Sequence, residues 1–467
     1  MLFAASLTLL SAFALGLPWT RAVELRCWNL QRVGLVLGRG LLVGYALGLL
    51  TPSLRALPYA LALAVLAQLV LWIEGVLRTG LPVYLDRASF RPIDGLGCAI
   101  AVLLLALLFS KILADPLVGW DARSIWFFHA KILYFADHAL DRTIWLTRSI
   151  SFSHVDYPKL NAVWSALWMM HSDGWNEFLP KFSLLLLAAP TVLLCLGFST
   201  EFATRALLLA ALVFRMGSTL WDGYMDGLLA CYAGLGVLYG VRFVLHGASL
   251  DLMTVSIALG MCAGLKNEGM AVAVCTLFFM SLGRLWQLRL AQKPLERPSR
   301  ETVVTLVCAF LGTAIWIGWT KLAGITNDLV ASDSKLDQIR DRLSDGHSLD
   351  QIWTALITSE EQSIIALVLA TAIGYWLVNW QHFKRYRPAL AFGICVPLAY
   401  LAILLLVYLT SPWDLTWHLK YSASRTRLTL HACFAMGLLG PLIAEARGPL
   451  AARHERTFRG LRSESRY

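Results

Sequence analysis

Residues 119–135 read GWDARSIWFFHAKILYF and set Asp121, Arg123, His129 and Lys131 among aromatic rings. Of four other short stretches, three mix acids and bases in the same way and one pairs two acids. SHVDYPK carries His154, Asp156 and Lys159; WDGYMDG carries Asp222 and Asp226; GLKNEG carries Lys266 and Glu268. SPWDLTWHLKYSASRTR carries Asp414, His418, Lys420, Arg425 and Arg427. A carboxylate at such a place can take a proton from a hydroxyl. Lysine and arginine can hold a phosphate that leaves with growing negative charge. GxxxxGK[ST], GxGxxG and HExxH are all absent, so the usual nucleotide cradles and the zincin protease site have no motif here.

The elements that must position these residues are membrane spans. The chain is 58% hydrophobic and 15% charged, against roughly 45–50% and about 25% in soluble domains. The excess falls in repeated apolar runs, near the ~20 residues that cross a bilayer as a helix. Thirteen spans are expected: 2–19, 33–51, 56–77, 96–114, 179–198, 203–219, 225–244, 250–265, 268–284, 302–320, 362–380, 388–409 and 427–445. The first has no positive n-region and reads as a span rather than a signal peptide. The nine cysteines show no CxxC spacing and imply no disulfide framework or thiolate metal site.

The basic loops agree with one orientation. Arg21, Arg26, Arg32 and Arg39, then Arg78, Arg87 and Arg91, the 284–301 and 381–388 loops and the arginine-rich tail share a side when the N-terminus is outside and the C-terminus inside. Segments 115–178, 321–361 and 410–426 then lie outside, with all five charged stretches at one face. The 321–361 segment reads as a solvated acidic loop with one short helix, or as a lid. Ile125, Phe128, Ile132 and Phe135 fall on one face of an expected interfacial helix; 159–172, with Trp164 and Trp168, is expected as a second.

Each residue also has a plainer role. Asp121 can cap the helix that follows it. Asp156, Asp222 and Asp226 can set turns or caps. Lys266 can snorkel, and Arg425 and Arg427 can meet lipid headgroups. Carboxylates and cations converging from separate outer segments point instead to a cleft over the bilayer. A lipid-linked phosphosugar suits such a cleft, because it brings an electrophilic carbon and a phosphate while its tail stays in the membrane.

The order of these motifs resembles the GT-C glycosyltransferases, in particular bacterial relatives of protein O-mannosyltransferases and lipid A aminoarabinose transferases. The resemblance covers roughly 96–320 and rests on Asp121 after a span, on Tyr157-Pro158-Lys159, on Asp222 or Asp226, and on Lys266. It departs in the three extra N-terminal spans (1–95), in LKNEG where the family has Thr-Lys-Gly-Pro, and in the lack of a large soluble domain after 321–445 and the basic tail 446–467. It implies an all-α polytopic enzyme of the bacterial inner membrane that moves a sugar from a polyprenyl-phosphate donor to a glycan, lipid or protein hydroxyl at the periplasmic face. Asp121 is then the catalytic base. Lys266, Arg425 and Lys159 face the donor phosphate, with His154 and His418 beside it. Asp222, Asp226 and Glu268 orient substrate. Asp121 with Asp222 would hold Mg²⁺ or Mn²⁺ if a metal takes part. Two alternatives stay open: a polysaccharide ligase fed by a polyprenyl-diphosphate glycan, favoured by Arg425 and His418, and a transporter or lipid flippase, which would need mid-span charge.

Overall fold

In the computed structural model, described for residues 13–16, 29–79, 95–170, 172, 174–295, 297–326, 335–357 and 380–445, the described residues form helices and no strand. Helices pair every backbone polar group within the segment, as hydrocarbon requires. Nine described helices are long and apolar enough to cross a membrane, from Leu30–Leu50 to Leu415–Ala444. Two shorter apolar helices, Leu54–Ala67 and Ser249–Leu265, fall on two further expected spans. The chain is an all-α membrane protein. Apart from residues 13–16, the expected span 2–19 lies outside the described residues, as do 362–379, Arg21, Arg26, Arg87, Arg91 and the tail.

The Asp226–His246 helix is the axis of the bundle: 94% of its most apolar window is buried, against 22% for the peripheral Gly95–Ala114 helix. Around it pack Ser249–Leu265, Asn267–Leu290, Trp380–Thr410 and Leu415–Glu445. Leu30–Leu50 closes the far side against Phe182–Phe198 and Arg300–Ala323. The last two helices of the chain cross at Gly393 and Gly437, where a Cβ on either residue would come within 2.3 Å of the other's backbone. Small residues permit such close crossings in membranes.

Three local expectations are corrected. The segment after Asp121 opens as a π-helical turn, Ala122–Trp126, before the α-helix Phe127–Ala136. An i→i+5 turn inserts one residue, which moves the inward face along by one. His129 and Leu133 therefore face the protein interior, while Phe128 and Ile132 are half-buried and Phe135 is 68% exposed. The second expected interfacial helix, Leu160–Met169, is buried along its whole length rather than lying on the surface. Its two polar side chains, Asn161 and Ser165, are bonded to Ser183 at 2.7 Å each, which lets the helix lie in a core; its Trp164 donates to Leu41 O at 3.0 Å. Segment 321–361 contains two short helices rather than one, Lys335–Ser344 and Ser348–Leu356. Arg342 of the first donates to the backbone carbonyls of Tyr408 and Trp413, and Ile352 and Leu356 of the second are buried.

Candidate active site

Four segments meet at one end of the axial helix. The Phe202–Leu220 segment reaches it irregularly, passing from α-helix through a π turn, Leu209–Val213, to a 3-10 stretch kinked at Gly217 (φ 53°). WDGYMDG follows and ends with Asp226 in the first turn of the axial helix. Two glycines let this loop lie against the one that carries Asp121. A Cβ on Gly119 would sit 2.2 Å from the Tyr224 ring, and one on Gly223 (φ 91°) would sit 2.8 Å from Ala122 Cβ. Lys266 is one extended residue (φ −150°, ψ 157°) between two helices, which aims its side chain at the axis. Arg425 comes from the Leu415–Glu445 helix.

The charged atoms form a continuous chain. Arg425 Nη1 donates to the Asp121 carboxylate and lies 3.7 Å from Asp226 Oδ2. Lys266 Nζ donates to Asp226 Oδ1 at 2.9 Å and stands 3.2 Å from Glu268 Oε1. The Arg425 guanidinium rests 4.7 Å from the Tyr224 ring centre and donates to Tyr421 O. Exposure is lowest in the middle of the chain: Asp226 is 3% and Lys266 6% exposed, against 22% for Asp121 and Arg425 at one end and 24% for Glu268 at the other. Asp121 and Arg425, with Glu268, thus line the mouth of the site, and Asp226 with Lys266 forms its floor. Asp226 Oδ2 and Glu268 Oε2 are buried without a hydrogen bond among the described residues. Buried polar atoms normally find partners, so these mark capacity for a bound group.

Electrostatics follow from burial and pairing. Burial works against the Lys266 charge, but Asp226 and Glu268 outweigh it and hold the ammonium well above the ordinary lysine range. Burial pushes the Asp222 carboxyl up to about 6, with the Asp226 charge adding to the rise. Burial, then the Glu268 charge, raises the Tyr157 phenol well above its usual range; Tyr157 stacks on Trp126 at 5.2 Å.

Of the residues named from sequence, Asp121, Asp226, Lys266, Glu268 and Arg425 come together. Asp121 does not cap its helix with its side chain. Asp222 borders the cluster and accepts from Tyr224 N at 2.9 Å. His418 lies two helical turns before Arg425, its ring 4.9 Å from Tyr408, and its Nδ1 makes no hydrogen bond among the described residues. His154 occupies a left-handed turn (φ 52°) with its ring 5.4 Å from Tyr157.

Lys159 is not brought to the cluster. It is fully buried between the Trp145 and Trp316 rings, 4.4 and 4.5 Å from their centres. Its ammonium meets His129 Nδ1 at 3.1 Å and donates to the carbonyls of Val155 and Tyr157. Burial depresses both Lys159 and His129 well below their ordinary values.

The donor set does not fit a divalent ion. No group of three or more His, Cys, Asp or Glu suited to a metal occurs among the described residues. The Asp121 carboxylate already faces a guanidinium.

Sequence reasoning missed Tyr224 and Trp126, and it named His129 without its partner Lys159. Tyr224 lies between the two acids of WDGYMDG, a signal that was open to reading. Asn267 was missed too; it donates to Asp156 at 2.5 Å and ties GLKNEG to SHVDYPK. Comparison with family models, with curated proteins and with solved structures finds no match.

Proposed function

We propose that this chain is a glycosyltransferase of the GT-C type. It moves a sugar from a polyprenyl-phosphate donor to a hydroxyl acceptor at the outer face of a bacterial inner membrane. The observation that carries this reading is the Asp121–Arg425–Asp226–Lys266–Glu268 chain at one end of a membrane bundle. Asp121, at the mouth, accepts the proton of the acceptor hydroxyl. The acceptor oxygen forms the new bond to the anomeric carbon as the bond from that carbon to the phosphate oxygen breaks. The electron pair leaves with the polyprenyl phosphate, and the configuration inverts. Arg425 receives the departing phosphate as a planar fork, with Lys266 behind it as a buried positive charge.

A ligase taking a whole glycan from a polyprenyl diphosphate is the second reading, and the central place of Arg425 favours it. Transfer from radiolabelled polyprenyl-phosphate sugars, in membranes carrying wild type or Asp121→Asn, tests the first. Product from wild type and a loss of about 10²-fold or more in an equally expressed variant are expected. Equal transfer by both removes Asp121 as the base. Transfer only from diphosphate-linked glycans selects the ligase.

A further inference from the structure

The other end of the axial helix carries a second polar site. Asp226 and His246 are 20 residues apart on one helix, about 30 Å at 1.5 Å per residue, which is the thickness of the hydrocarbon layer. Beside His246 lies a cavity of about 450 Å³, within the range of small-ligand sites. Arg284, Lys293 and His246 line it together with Gln287 and leucines, and no acidic residue does among the described residues.

Arg284 is fixed in place. It donates to Val244 O at 3.2 Å and lies against the Phe243 ring. Gly247 (φ 71°) makes room for it, since a Cβ there would fall 1.9 Å from Arg284 Nη2. Gln287 is 7% exposed, and its Oε1 makes no hydrogen bond among the described residues. A buried amide oxygen at the wall of a cavity is set to accept from a ligand.

An apolar track leads to the same place. Phe278, Leu282, Trp286 and Leu290 recur every fourth residue, so they form one stripe of the helix. They are 57%, 48%, 43% and 54% exposed, and Leu290 itself lines the cavity.

The positive charge of 284–301 reads from sequence as a topological signal alone. We propose that it also builds a binding site for an anionic phospholipid with a hydroxylated headgroup, of the phosphatidylglycerol type. The phosphate sits between Arg284 and Lys293, a headgroup hydroxyl donates to Gln287 Oε1, and an acyl chain lies along the 278–290 stripe. The stripe selects a lipid over a free phosphate. This site is independent of the transfer reaction.

The test is lipid retention by the full chain in nanodiscs of mixed phosphatidylglycerol, phosphatidic acid and phosphatidylcholine, read by native mass spectrometry. Wild type is expected to retain phosphatidylglycerol in preference to phosphatidylcholine. Lys293→Gln changes an exposed side chain, so it should fold normally and still weaken retention several-fold. Arg284→Gln with Lys293→Gln should weaken it about tenfold or more, since charge-assisted bonds are lost. Gln287→Leu should erase the preference for phosphatidylglycerol over phosphatidic acid. No preference in wild type, or retention unchanged in Lys293→Gln, overturns the proposal. Displacement of the lipid by millimolar inorganic phosphate would assign the cavity to a free phosphate and overturn the lipid assignment.

Discussion

Arg425 and Asp121 meet across 304 residues of chain, and the same guanidinium nitrogen lies 3.7 Å from Asp226. One side chain from the last described helix therefore joins the loop that carries Asp121 to the start of the axial helix.

Arg425→Lys keeps the charge and discards the fork. A single ammonium cannot reproduce the planar set of donors that serves Asp121, Asp226 and Tyr421 O together. Transfer should fall about tenfold to a hundredfold while the thermal midpoint in detergent moves little. Wild-type rates in this variant would remove Arg425 from phosphate recognition.

Lys266→Met leaves Asp226 buried with only the more distant Arg425. Breaking a buried pair from one side costs about 3–5 kcal/mol. Asp226→Asn combined with Lys266→Met should recover part of that loss, because neither charge is then stranded. Equilibrium unfolding in mixed micelles measures both variants. A double variant less stable than Lys266→Met would contradict the pairing.

Lys159→Met should destabilise without acting on the substrate. It strands His129 Nδ1 and two carbonyls that the ammonium now satisfies, a loss of about 3 kcal/mol. The remaining folded enzyme should show an unchanged KM for donor. A raised donor KM with normal stability would return Lys159 to the site.

Gly223→Ala places a methyl group where φ is 91° and Ala122 and Leu117 leave no room. Strain of this kind costs about 1–3 kcal/mol, and it should separate the loops that carry Asp121 and Asp222. Activity should drop further than stability, since Asp121 follows Gly119 by two residues. Activity and midpoint measured on the same preparation separate the two effects.

Asp222 predicts a pH dependence. Its folded carboxyl titrates near 6 against 3.8 in the ordinary range, so the folded state holds the proton more tightly. Its contribution to stability is full below about pH 3.8 and declines as pH rises towards 6. Asp222→Asn should flatten the thermal midpoint over that window. An unchanged slope would place the titration elsewhere.

Much of the bundle was legible because apolar runs near span length allow few other structures in lipid. The residues at helix ends were legible too, since Asp226, Lys266 and Glu268 stand out against apolar neighbours. The pairing of Arg425 with Asp121 was not, because a shared face does not fix which atoms touch. The π turn at Ala122–Trp126 defeated periodicity, which assumes a constant repeat through Ile125, Phe128 and Ile132. Lys159 looked available because its partners Trp145, Trp316 and His129 are remote in sequence.

The ionic chain at the site has a consequence for how a ligand enters. Three carboxylates, Asp121, Asp226 and Glu268, share two cations, and each cation already touches two of them. An arriving phosphate finds no idle positive charge and must displace a carboxylate from Arg425. The exposed Asp121 is the partner free to swing aside. Admission of the anion and release of the carboxylate then become a single swap, and Asp121 stays paired with Arg425 until the anion has arrived.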